Sequence, residues 1–174
     1  MVQIKELSVG LRRVAAGFAV VALLAPGAFA QGNAPSNKEA VAGMNQMKIA
    51  FDITTGNPKS LLGRLEVIDL TRKQLMAEGV EPHFVIALRG DASFFAQSDL
   101  SGLKPEDRPL GEKISAKLKE LSGTKGVDSV VQCAVSLPPR KLTPEGVMSE
   151  VKVVGNGWIT LVSYQEKGYS YIVP

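Results

Sequence analysis

Apolar and polar positions alternate along this chain in two different periods. Met47–Thr54 is an apolar run interrupted at Lys48 and Asp52, and predicts a first strand. Leu61, Leu62, Leu65, Ile68, Leu75 and Met76 then recur at three- and four-residue spacing, the mark of one apolar helical face. Pro58 is placed to open that helix and Gly79 to end it. Pro82–Leu88 predicts a second strand, closed by Arg89-Gly90. A short helix is expected over Ala92–Ser98, and an irregular polar stretch over Leu100–Arg108. Leu110, Ile114, Leu118 and Leu121 mark another amphipathic helix, ended by Gly123.

Val127–Leu137 is a β-branched run that reads as a buried strand stopped by Pro138-Pro139. Its alternation puts Val131, Cys133 and Val135 on one side and Val130, Gln132 and Ala134 on the other. A loop with one turn of helix after Thr143 follows, then a short strand at Val151–Val154. Asn156 is placed to cap a helix carrying Trp158, Ile159, Leu161 and Val162, and Tyr169–Val173 predicts the last strand.

Strands alternating with helices imply parallel pairing with crossover helices on both faces. The expected fold is a three-layer α/β sandwich around a mainly parallel five-stranded sheet, with a flavodoxin-like strand order.

The first 30 residues have a separate character. Lys5, Arg12 and Arg13 precede a short apolar run, Val14–Ala25, and Ala28-Phe29-Ala30 gives an A-x-A pattern. This predicts a signal peptide cleaved after Ala30, hence a periplasmic or secreted protein without a stable membrane anchor. The apolar run is short for a transmembrane helix. Residues 31–45 read as a flexible leader, and 46–174 as a single α/β domain.

The formal charge is +3. Removal of Lys5, Glu6, Arg12 and Arg13 leaves the remainder at +1, so no electrostatic surface for nucleic acid is expected. The single histidine, His83, lies at the start of its strand. With one cysteine and one histidine, neither a metal centre nor a Ser/His/Asp or Cys/His engine is expected. Thr54–Ser60 lacks the spacing of a phosphate loop, although the amides at its helix start could hold an anion. No cofactor is expected.

Sites in open parallel sheets lie at the carboxyl ends of the strands. Here those ends are Thr54–Asn57, Arg89–Ser93 and Cys133–Arg140. They would set a thiol beside a guanidinium and helix amino ends, all of which favour the thiolate. Cys133 is the candidate nucleophile, and Arg89, Gly90 and Asn57 are candidate binding residues. The same pattern fits a small buried hydrophobe at Cys133. Trp158, Tyr164, Tyr169 and Tyr171 form either a ligand or subunit face or a cover for the last helix and strand.

The ending from Val151 to Ile172 resembles that of exported members of the DsrE/DsrF-like family. It is a strand, a polar turn, a helix with Gln165 near its end, then Gly168, Tyr169, Tyr171 and Ile172. The opening Met47–Thr54, the Leu88–Ala92 strand end and a cysteine closing the third strand also match. The resemblance implies a parallel α/β fold, assembly into small homo- or hetero-oligomers, and relay of sulfane sulfur as a persulfide, here on Cys133. A protein donor or acceptor of sulfur is the implied partner. The leading reading is therefore a sulfurtransferase or sulfur carrier, and the alternative is a non-catalytic oligomeric binding or scaffold module of the same fold in which Cys133 is structural.

Overall fold

The computed structural model describes residues 36–174. The expected signal peptide, its cleavage site and the first residues of the leader lie outside the described residues. Five strands carry the fold: β1 (Gln46–Ile53), β2 (Glu81–Leu88), β3 (Val127–Cys133), β4 (Lys152–Val154) and β5 (Ser170–Ile172). Three α-helices connect them: α1 (Pro58–Ala77), α2 (Arg108–Ser122) and α3 (Gly157–Glu166). Short 3-10 turns occupy Gly90–Ala96, Pro105–Asp107, Ala134–Ser136, Pro138–Arg140 and Pro144–Gly146.

All strand pairs are parallel, in the order β4-β3-β2-β1-β5. The α/β class and the parallel five-stranded sheet agree with expectation. The strand order does not: a flavodoxin-like sheet runs 2-1-3-4-5, whereas this chain steps outward from β1 through β4 and then returns to the far edge. The layers follow from that path. Right-handed crossovers moving one way across a sheet share a face, and the returning crossover takes the other. Accordingly α1 and α2 pack together on one face, and α3 lies alone against β1, β2 and β3 on the other.

The larger core lies under α1 and α2. It buries Ile49, Phe51 and Ile53 of β1, Phe84, Ile86 and Leu88 of β2, and Val130 of β3 against Leu61, Leu65, Ile68, Ile114 and Leu118. Each such side chain contributes about 1.5–3 kcal/mol on leaving water. Asn57 caps α1 by accepting from the Ser60 N–H at 2.9 Å, and Pro58 occupies its first turn.

The face toward α3 is built from smaller residues. Ala50, Val85, Ala87 and Val131 meet Leu161, with Tyr164 and Tyr169 packed at the margin. Small side chains let α3 approach the sheet closely, which sets the position of its amino end.

Local differences from expectation have plain causes. β3 ends at Cys133 rather than Leu137, because residues 134–136 turn into a 3-10 helix before the prolines are reached. The turn after β2 starts at Gly90, earlier than Ala92, because Gly90 takes a left-handed φ of 53°. Part of the expected leader is packed: residues 38–43 form turns, and Val41 is buried in the core. Among the described residues no helix is long and apolar enough to cross a membrane.

Candidate functional site

Cys133 is the last residue of β3, and its side chain faces α3, as the alternation through Val131 requires. It is 4% exposed. Its sulfur accepts a hydrogen bond from the backbone N–H of Gly157, the first residue of α3, at 3.1 Å. Asn156 supports this arrangement by accepting from the Trp158 N–H at 2.9 Å, which fixes the helix start.

Gly157 is there because nothing larger fits. A Cβ at that position would stand 2.6 Å from Arg89 Cδ and 3.0 Å from Cys133 Cβ. The guanidinium arm and the thiol therefore converge on the same bare stretch of backbone.

The 3-10 turn after β3 folds back over the sulfur. Burial pushes the Cys133 thiol up, but the Gly157 N–H, the Ser136 hydroxyl and N–H and the Val135 N–H more than offset it. The net effect holds the thiol below its ordinary value of 9.0. Ser136 also ties the neighbouring turn, since its Oγ accepts from the Gly90 N–H at 3.1 Å.

The strand-end turns are joined to one another. Gly90 sits against the Thr54 carbonyl, and Gly56 against the Asp91 side chain. Arg140 donates through Nε to Asp91 at 2.8 Å and through Nη1 to the Ser136 carbonyl at 2.9 Å. The three carboxyl ends thus form one continuous edge, as the placement of sites in parallel sheets predicts.

Arg89 and Cys133 are brought together against Gly157, and Gly90 is tied to the turn after Cys133 through Ser136. Asn57 is not: its carboxamide oxygen is engaged in capping α1, and it shares no hydrogen bond with Arg89 or Cys133 among the described residues. Arg89 is also less free than its position suggested. Its Nε donates to Asp52 Oδ1 at 2.8 Å and its Nη2 to Asp52 Oδ2, a two-pronged pair with a carboxylate that is itself buried. Tyr171 donates its hydroxyl to the same Oδ2 at 2.7 Å. Hydrogen bonding to Asp52, then burial, keeps that phenol above its ordinary range and so a donor. The Arg89 guanidinium lies over the Trp158 ring, 5.5 Å from its centre.

Asp52, Ser136 and Gly157 escaped the sequence reading, which has Tyr171 only as part of an aromatic face. Asp52 had a signal, a lone acid inside an apolar strand. Gly157 and Ser136 had none, because their importance comes from atoms supplied by other elements. The aromatic residues divide: Tyr164 and Tyr169 pack edge to face at 4.8 Å, whereas Trp158 is 67% exposed beside the site. Among the described residues no group of three or more His, Cys, Asp or Glu is placed to hold a metal. His83 lies at the opposite end of the sheet, with Nδ1 3.1 Å from Asp128.

A parallel α/β domain with a hydrogen-bonded thiol at the end of its third strand defines the class. The chain belongs to the DsrE/DsrF-like family, whose model matches residues 28–174. It is 32% identical over 126 residues to an uncharacterized protein of Aquifex aeolicus (strain VF5), covering 72% of this chain. The match covers 55% of that relative's length, so this chain corresponds to about half of it. The fold is shared with MTH1491 of Methanobacterium thermoautotrophicum, a protein of unknown function. That likeness has a TM-score of 0.58 at 20% identity and covers 74% of this chain and 99% of the other.

Proposed function

We propose that this protein carries sulfane sulfur as a persulfide on Cys133, in keeping with the sulfur relay of its family. The observation that carries the proposal is the hydrogen bond from the Gly157 N–H to the Cys133 sulfur, in a site that also holds the thiol's pKa below its ordinary value. A thiolate so stabilised is both nucleophile and leaving group.

In the forward step the Cys133 thiolate attacks the outer sulfur of a donor R–S–SH. A new sulfur–sulfur bond forms on Cys133, the donor's bond breaks, and RS⁻ departs with the electron pair and takes up a proton from water. Cys133 then holds an S–SH group, which an acceptor thiolate attacks at its outer sulfur. No oxidant or reductant is consumed. The backbone donors around the sulfur stabilise the anionic forms.

Export with cleavage after Ala30, assembly into a small oligomer, and a protein donor or acceptor belong to the same proposal. The rival reading is a binding or scaffold module with a structural thiol, and the burial of Cys133 favours it. Intact mass spectrometry after polysulfide treatment separates the two. A sulfur-sized addition localised to Cys133, absent in Cys133→Ser, supports relay. A Cys133→Ser protein that still gains the addition, or a wild-type protein that gains none, overturns it.

A further inference from the structure

We infer that Asp52 sets which sulfur donors reach Cys133, by cancelling the charge of Arg89: donors with a singly charged or neutral head are admitted, and doubly charged sulfur oxyanions are not. The inference rests on the relay reading above, but its central observation is the buried ion pair.

An isolated guanidinium beside a reactive sulfur would attract dianions such as thiosulfate. Here the guanidinium is not isolated. Its Nε–Nη2 edge is taken by Asp52, whose side chain is 3% exposed, and the Arg89 side chain is itself 17% exposed. Water screens such a pair little, so the two charges offset each other where they act on the sulfur. Tyr171 gives the carboxylate a third donor, which holds it in place against Arg89. The second guanidinium of this edge, Arg140, is also paired, with Asp91 at 2.8 Å.

What remains at the sulfur is a neutral donor, the Gly157 N–H at 3.1 Å, with the equally neutral Val135–Ser136 turn beside it. These suit one negative charge on sulfur, a thiolate or a perthiolate. They do not supply the net positive charge that a dianionic head would need. Val135, two residues past the thiol, and Trp158, which follows Gly157, are both apolar and exposed. They suit the carbon body of an organic persulfide better than a hydrated oxyanion.

Two measurements test this. The first compares alkylation of native Cys133 by iodoacetate and by iodoacetamide, each relative to a free neutral thiol. The anion-to-neutral rate ratio reads the local potential without reference to sulfur transfer. In the wild-type protein it is expected within about twofold of the free thiol. In Asp52→Asn, which keeps the shape and removes the charge, it should rise by roughly tenfold, and Arg89→Gln added to it should abolish the rise. The second compares loading from thiosulfate and from a hydropersulfide with an uncharged body. Wild type should load from the hydropersulfide only, and Asp52→Asn should gain loading from thiosulfate, whose outer sulfur bonds to the Cys133 thiolate as its sulfur–sulfur bond breaks and sulfite leaves with the electron pair.

A wild-type ratio far above that of the free thiol, or ready loading from thiosulfate, overturns the inference even if Asp52→Asn does not fold. So does a ratio that Asp52→Asn leaves unchanged. Failure to load from either donor, with the ratios as expected, sinks the relay reading and leaves the charge cancellation standing. A thiol that neither reagent reaches in the native protein overturns both.

Discussion

The Gly157 N–H points at the Cys133 sulfur from 3.1 Å, which ties the first residue of α3 to the last residue of β3. The relationship depends on the absence of a side chain at Gly157. Gly157→Ala would press a methyl against Arg89 Cδ and Cys133 Cβ, at 2.6 and 3.0 Å. Arg89 is held by Asp52 and Cys133 is strand backbone, so neither yields freely. The expected outcome is a loss of about 1–3 kcal/mol in stability, measured by urea denaturation. A marked fall in the rate of Cys133 alkylation should accompany it, because α3 must back away from the sulfur.

The donors around Cys133 also predict a pH profile. Burial alone would raise the thiol, and the Gly157, Ser136 and Val135 donors reverse that, leaving it below 9.0. The rate of alkylation of the native protein should therefore rise with an inflection on the acid side of 9.0. Ser136→Ala removes one donor and should move the inflection upward. The linkage has a definite sign. A depressed folded value adds stability that is fully present above the unfolded value and is lost as pH falls through the folded one. Unchanged inflection in Ser136→Ala would show that its hydroxyl serves only the Gly90 N–H.

The parts of this architecture legible in the sequence are those written in one segment. The 3-4 spacing from Leu61 to Met76 and the alternation through Val131 and Cys133 each describe a face of a single element. Leu61, Leu65, Ile68, Leu75, Val131 and Cys133 are buried as periodicity predicts, whereas Met76, near the end of α1, and Val135, past the end of β3, are exposed. Strand order is not local. It depends on β4–α3–β5 crossing back over the whole sheet, and no residue in those segments records the destination. The site divides the same way. Cys133 and Arg89 stand at strand ends and were visible as such. The pairing of Arg89 with Asp52 joins two strands through contacts 37 residues apart, so a free guanidinium and a neutralised one look identical in sequence.

A second buried carboxylate, Asp69 on α1, bears on the fold rather than on the site. It accepts from Arg72 at 2.8 Å, from Lys73 at 2.8 Å and from Lys117 of α2 at 2.9 Å. Burial pushes its carboxyl up, but the Lys117, Lys73 and Arg72 donors outweigh that and hold it far below the usual carboxylate range. Asp69→Asn leaves three cations facing a neutral amide and should cost about 3–5 kcal/mol, read from denaturant midpoints. The wild-type protein should be stable above the ordinary value of 3.8 and lose this contribution as pH falls below it. The acid loss should be absent from Asp69→Asn. A variant that melts like wild type at neutral pH would show that the three cations are satisfied elsewhere.

Asn57 offers the sharpest separation of fold from function at this edge. It stands at a strand-end turn, the place where ligand contacts are sought, yet its carboxamide oxygen is spent on the Ser60 N–H at 2.9 Å. Asn57→Ala should therefore cost about 1 kcal/mol through loss of the cap, seen as a lower denaturation midpoint. Asn57→Ser, which restores a capping oxygen, should recover most of it. Neither change should alter the pH profile of Cys133 alkylation or its loading with sulfur, because the thiol takes its donors from Gly157, Ser136 and Val135. Slower loading in both variants at temperatures well below their melting would instead return Asn57 to the binding residues of the site.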